Sequence, residues 1–181
     1  MTTVKFSTAK NEKIDAMNAR DDIPFNIGGI ATFSLSPGVS CPEALECLAK
    51  VYETAEGKAY IVDGKHAEFR CFAATMAARQ TSIRHAWQRN FEALRRVSDP
   101  NEIADILNEA WRDVPRRVNL IRVHVSGDFF NLAYLRGWYE FARRNPSVQL
   151  YAYTKSLRFV VATLDECPNN FRIIASRGGR S

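Results

Sequence analysis

Cys41 and Cys47 stand six positions apart in SCPEALEC (40–47), and Cys71 opens CFA (71–73). A thiolate is both a nucleophile and a soft-metal ligand. Three of them gathered in one place would hold an iron–sulfur cluster with one coordination position open, whereas a closed structural zinc site takes four protein ligands. The spacing matches no compact zinc finger, and a cytosolic cysteine also serves as a small buried apolar residue. Spacing alone therefore leaves both readings open. Cys167, the fourth cysteine, precedes the last predicted strand and belongs at the opposite end from the other three.

Two further short stretches carry ligand-binding chemistry. Ser126, Gly127 and Asp128 combine a hydroxyl, a residue without a side chain and a carboxylate, so Asp128 either meets an amino or ribose group of a ligand or caps the next helix. Thr154, Lys155 and Ser156 set a cation between two hydroxyls, where Lys155 either pairs with an anion or is simply solvated. Arg177 with Gly178 and Gly179 leaves backbone amides accessible to an anion. His66 and His85 read as surface residues. Strand alternation puts His124 on the face of Arg122 and Ser126.

All of these stretches fall at the ends of predicted strands. IATFSLSP (30–37) reads as a strand stopped by Pro37 and Gly38, and VNLIRVHV (118–125), VQLYAY (148–153) and FRIIAS (171–176) as three more. The Asp63-Gly64 step signals a hairpin turn. From Cys71 to Arg95-Arg96 an apolar period of three and four predicts one long helix. SDPNEIADILNEAWRDVP predicts a second, with Ser98 or Asp99 as N-cap, Pro100 in the first turn and Pro115 as the stop. Helices over NLAYLRGWYEFARRNP and SLRFVVATLDEC separate the later strands. Strand, helix, strand in alternation implies parallel strands joined by crossovers, and ligands of such sheets gather at the strands' carboxyl ends. The expected fold is α/β, a partial (β/α) parallel barrel with a cysteine-bearing loop after the first strand. Residues 1–28 are polar and aperiodic and read as an N-terminal arm, with 29–181 as a single α/β domain.

Composition bounds the function classes. A 181-residue chain with 46% hydrophobic and 25% charged residues is globular in type. No signal peptide or membrane span is legible, so the expected location is the cytoplasm, where irregularly spaced cysteines point away from disulfides. The net charge of +5 permits nucleic acid as a partner. Arg84, Arg89, Arg95, Arg96, Arg116, Arg117, Arg143 and Arg144 would supply a basic face, or else an ordinary solvated helix surface.

CPEALEC, CFA, RVHVSGDFFNLAYLRGWYEFARRNP and YAYTKS, in that order, resemble the bacteriophage proteins grouped as the gene product 88 family, over roughly residues 30–181. That resemblance implies expression in a host cytoplasm. The layout is also similar, more remotely, to radical S-adenosylmethionine enzymes, whose compact three-cysteine motif holds a [4Fe–4S] cluster after the first barrel strand. Here 23 residues separate Cys47 from Cys71. This second likeness implies Cys41, Cys47 and Cys71 as cluster ligands, with Ser126, Gly127, Asp128, Thr154, Lys155 and Ser156 lining an S-adenosylmethionine site. The function it implies is modification of a macromolecule or metabolite, on an unidentified substrate. The rival is a basic nucleic-acid-binding protein, or a phage structural or host-interaction protein, with structural zinc in the cysteine site. An exposed sheet edge would also want a second copy or another partner to cover it.

Overall fold

The structure, a computed structural model, describes residues 4–9, 16–20, 25–45, 47–65 and 71–179. Its main sheet has five strands: β1 (Ser7–Ala9), β2 (Ile30–Phe33), β5 (Leu120–Val123), β6 (Gln149–Thr154) and β7 (Phe171–Ala175), in that spatial order. The pairs β2–β5, β5–β6 and β6–β7 are parallel, and β1 runs antiparallel along β2. The fold is thus mixed α/β with a mostly parallel sheet. A separate hairpin pairs β3 (Lys50–Glu53) with β4 (Ala59–Val62).

From Phe72 onward the helices among the described residues are α1 (Phe72–Arg79), α2 (Thr81–Leu94), α3 (Pro100–Trp111), α4 (Leu132–Arg144) and α5 (Leu157–Ala162), with a 3₁₀ turn at Leu164–Glu166. α3 starts as its sequence dictates, with the Asp99 carboxylate accepting from the Asn101 amide and Pro100 in the first turn. α3 and α4 pack on one face of the sheet. Ile103, Leu107, Leu135, Trp138 and Phe141 from the helices meet Phe33, Ile121, Val123, Leu150 and Phe171 from the strands in one buried core. A smaller cluster of Ala73, Ala77 and Trp87, with Val51 against it, fixes the hairpin to α1 and α2.

Four expectations differ from what is found. The stretch 1–28 is not wholly an arm: Val4 is buried, Phe6 packs edge-on against Phe33 and Trp111, and Ser7–Ala9 pair with β2. Asn90 of α2 holds this segment, its side-chain oxygen accepting from the Lys5 amide and its amino group donating to the Lys5 carbonyl. The long helix is two helices, because Gln80 is extended at φ −125°, ψ 100° and Arg84 folds back to donate to the Ala77 carbonyl at the end of α1. The hairpin turns at 54–58, where the Thr54 amide donates to the Lys58 carbonyl, and Asp63-Gly64 follow the second strand. His124 has φ 69°, which breaks the alternation and swings its ring off the face of Arg122 to pack on Phe129 and Tyr134. His66 lies outside the described residues.

Candidate functional site

The loops that follow β2, β5, β6 and β7 meet at one edge, stitched together by hydrogen bonds. The Leu35 amide donates to the Ser126 carbonyl, the Ser126 hydroxyl donates back to the Leu35 carbonyl at 2.8 Å, and the Asp128 amide donates to the Ser40 carbonyl. Gly127 lies at this crossing with φ +88°, and a Cβ there would fall 2.6 Å from Ser40 Oγ and 2.7 Å from Leu35 Cβ. Glycine is therefore required on both backbone and steric grounds. After β7, Gly179 forms a bridge with Ala44, between Cys41 and Cys47.

Asp128 is the hub of the edge. Its Oδ1 accepts from the Phe129 amide and the Thr154 hydroxyl, and its Oδ2 accepts from the Lys155 amide at 2.8 Å. The residue is 5% exposed, and burial, outweighing these donors, raises its carboxyl above the usual range. It does not cap the next helix, since α4 begins at Leu132 and Asn131 accepts from the Tyr134 amide there. Ser156 donates to the Phe129 carbonyl, and the Ser156 amide donates to Thr154 Oγ1. Ser126, Thr154 and Ser156 are all buried. Their hydroxyls are spent on holding the loops, which leaves the partly exposed Gly127 and Lys155 as the members of the predicted ligand set nearest the surface.

Cys41, Cys47 and Cys71 are free and partly exposed. Cys47 and Cys71 share a hydrogen bond. Donation from Cys47, with the amides of Ala74 and Ala73 at the start of α1 and the charge of Lys155 assisting, brings the Cys71 thiol down to about 6 against the pull of burial. The same bond, and then burial, raises the Cys47 thiol. Burial, and then the Asp128 carboxylate, pushes Cys41 up to about 12, although the Gly38 amide and Ser40 hydroxyl act the other way. Cys41 also feels the charge of Cys71, and Cys47 feels that of Cys41. Three cysteines spread over 31 positions of sequence therefore act on one another electrostatically. Among the described residues no three His, Cys, Asp or Glu side chains already stand close enough to clasp a single ion. Cys167 lies elsewhere, before β7, with its thiol directed at the Phe171 carbonyl and beside Tyr139.

Sequence reasoning passed over one group here and set another, His124, on the wrong face. Glu43 is 1% exposed within the cysteine loop, with Oε1 paired to Arg158 at 2.6 Å and Oε2 buried without a partner. Position four of the SCPEALEC run gave no signal that this carboxylate would be more enclosed than the cysteines around it. His124 bonds Tyr134 through Nε2 at 3.0 Å, leaves Nδ1 unpartnered, and is held neutral by burial, its pKa pushed down to about 3. Four of the eight arginines named as a basic face pair with acids: Arg84 with Glu53, Arg95 with Glu92, Arg143 with Glu140 and Arg144 with Asp105.

The Gene product 88 family matches residues 3–181, and the chain belongs to that family. The Gene 88 protein of Mycobacterium phage L5 is 28% identical over 123 residues, which is 65% of this chain and 44% of the relative. The chain thus spans under half the length of the curated relative it matches. No solved structure matches it. No helix among the described residues is long and apolar enough to cross a membrane.

Proposed function

We propose that this member of the gene product 88 family is an iron–sulfur protein, with Cys41, Cys47 and Cys71 holding a four-iron cluster at the carboxyl edge of the parallel strands. The observation that carries the reading is the mutual electrostatic influence of three cysteines remote in sequence, with Cys167 apart from them. The donor chemistry fits: the set is three soft thiols, one of them drawn toward thiolate by helix amides and by Lys155. A cluster spreads its ligands over several metal atoms, so it does not require the single-ion clasp that the described side chains lack. When bound, such a cluster supplies one-electron chemistry.

The rest of the edge has a division of labour. Asp128, Ser126, Thr154 and Ser156 fix the spacing of the loops, and Gly127 lets two of them touch. Lys155 offers positive charge beside the thiols, where it favours their anionic forms and would meet the carboxylate of a ligand such as S-adenosylmethionine. The open sheet is then read as the arc of a partial (β/α) barrel whose carboxyl edge faces the substrate, a macromolecule or metabolite. The test is iron and acid-labile sulfide content in Cys41→Ser, Cys47→Ser, Cys71→Ser and Cys167→Ser. Loss in the first three and retention in the fourth supports the reading. Equal retention in all four, or zinc in place of iron, overturns it in favour of a structural site.

A further inference from the structure

α3 and α4 pack on one face of the main sheet. On the other, strand register aligns Ser7, Thr32, Arg122, Tyr151 and Arg172 in a single row across all five strands. Tyr151 is thereby flanked by a guanidinium on each neighbouring strand. Two residues on, Tyr153 shares this face and is 48% exposed, beside Ile174 at 40%. The two tyrosine rings meet edge to face with centroids 6.3 Å apart, and the Arg122 guanidinium lies 6.0 Å from the Tyr153 ring. Arg122 Nε is buried without a partner. The five strands carry two arginines and no carboxylate, unlike the helix surfaces, where each arginine named above with a partner is matched by an acid.

We propose that this face binds single-stranded nucleic acid, with bases stacked on Tyr151 and Tyr153 and phosphates held by Arg122 and Arg172. Tyrosines at i and i+2 on one strand lie about 7 Å apart along it, room for two successive splayed bases, and stacking on aromatic faces tolerates any base. Flanking guanidiniums supply the charge that a phosphate backbone requires. A duplex buries the faces of its bases and cannot use the tyrosines. The face runs up to the edge where Tyr153 precedes Thr154 and Lys155, so a bound strand would pass beside the cysteines. The assignment stands on the sheet's register and does not depend on a cluster being held there.

Fluorescence anisotropy of a labelled twelve-residue oligothymidylate and of a duplex of equal length, with the purified full chain, tests it. Single strand should bind in preference to duplex. Tyr153→Ala, a change at a half-exposed position that leaves the core intact, should weaken binding about five- to 150-fold. Replacing Arg122 and Arg172 together by glutamine should reduce the slope of log affinity against log salt by about 1.4, whereas Arg89→Gln on α2 should leave it unchanged. Equal binding of duplex, unchanged affinity in both face variants, or no binding at low salt would each overturn the proposal. So would a stable dimer that shields Tyr153 from solvent, because a second copy would then be the occupant.

Discussion

Substituting Gly127 by alanine probes the crossing on which the whole edge depends. Two costs add. A side chain at φ +88° carries a left-handed backbone penalty of about 1–2 kcal/mol. The new Cβ, 2.6 Å from Ser40 Oγ and 2.7 Å from Leu35 Cβ, must push a buried hydroxyl and a core residue aside for about 1–3 kcal/mol more. Lost freedom in the unfolded chain returns about 0.4–1 kcal/mol, so the net loss is about 3 kcal/mol. For a chain of this size that lowers the melting temperature by about 6–12 °C. Gly57 supplies the control, since its φ is +81° and its added Cβ meets only Glu53 Oε1 at 3.5 Å. Gly57→Ala therefore incurs the backbone cost without the steric one. Thermal unfolding of both variants separates the two contributions. The same Gly127 variant should also change the reactivity of Cys41, whose neighbour Ser40 must move. A melting shift for Gly127→Ala no larger than that for Gly57→Ala would refute the close-crossing argument.

Three other outcomes follow from the same geometry. In metal-free protein, the rate of iodoacetamide modification at Cys71 should rise through a midpoint near pH 6, and Cys47→Ser should raise that midpoint; a midpoint near 9 in the parent would contradict the hydrogen-bonded pair. His124 binds its proton near pH 3 when folded and near 6.5 when unfolded, so stability is full above 6.5 and falls as pH drops below it. One proton taken up only by the unfolded chain costs about 2 kcal/mol between pH 6.5 and 5. Urea titrations should show this, and His124→Asn, which tolerates φ 69°, should flatten that slope. Asn90→Ala removes a buried amide that bonds Lys5 and the Ser34 carbonyl; it should cost about 2–4 kcal/mol and speed proteolysis of the first residues, and equal stability would mean the N-terminal strand is dispensable.

The second half of the chain was legible because β-branched strands and amphipathic helices alternate there with short links, and the observed strands fall within a residue or two of the predicted ones. The first half hid more. Ser7–Ala9 is too short and too polar to announce a strand, and its pairing is secured by Phe6 and by Asn90, 84 positions away from Phe6. Gln80 breaks a helix whose apolar period runs straight through it, because Arg84 satisfies the freed carbonyl from the following helix. Asp63-Gly64 carried the stronger local turn signal, yet the tyrosine pair Tyr52 and Tyr60, with centroids 5.7 Å apart, sets the hairpin register upstream. At the site, the rule that function gathers at strand ends picked out loops that the structure does bring together at one edge. It could not tell a hydroxyl that meets a ligand from one that ties two loops together, since Ser126, Thr154 and Ser156 are suited to either. The row from Arg122 to Arg172 was invisible for a different reason: register between strands is set by tertiary packing and leaves no mark in any one strand.

The proposed cluster is tested by iron and acid-labile sulfide per chain, with the absorption spectrum, on protein purified without oxygen. About four of each per chain are expected for a four-iron cluster, with broad visible absorption that bleaches on reduction. Protein that is folded and monodisperse but carries zinc, or iron without sulfide, would contradict it.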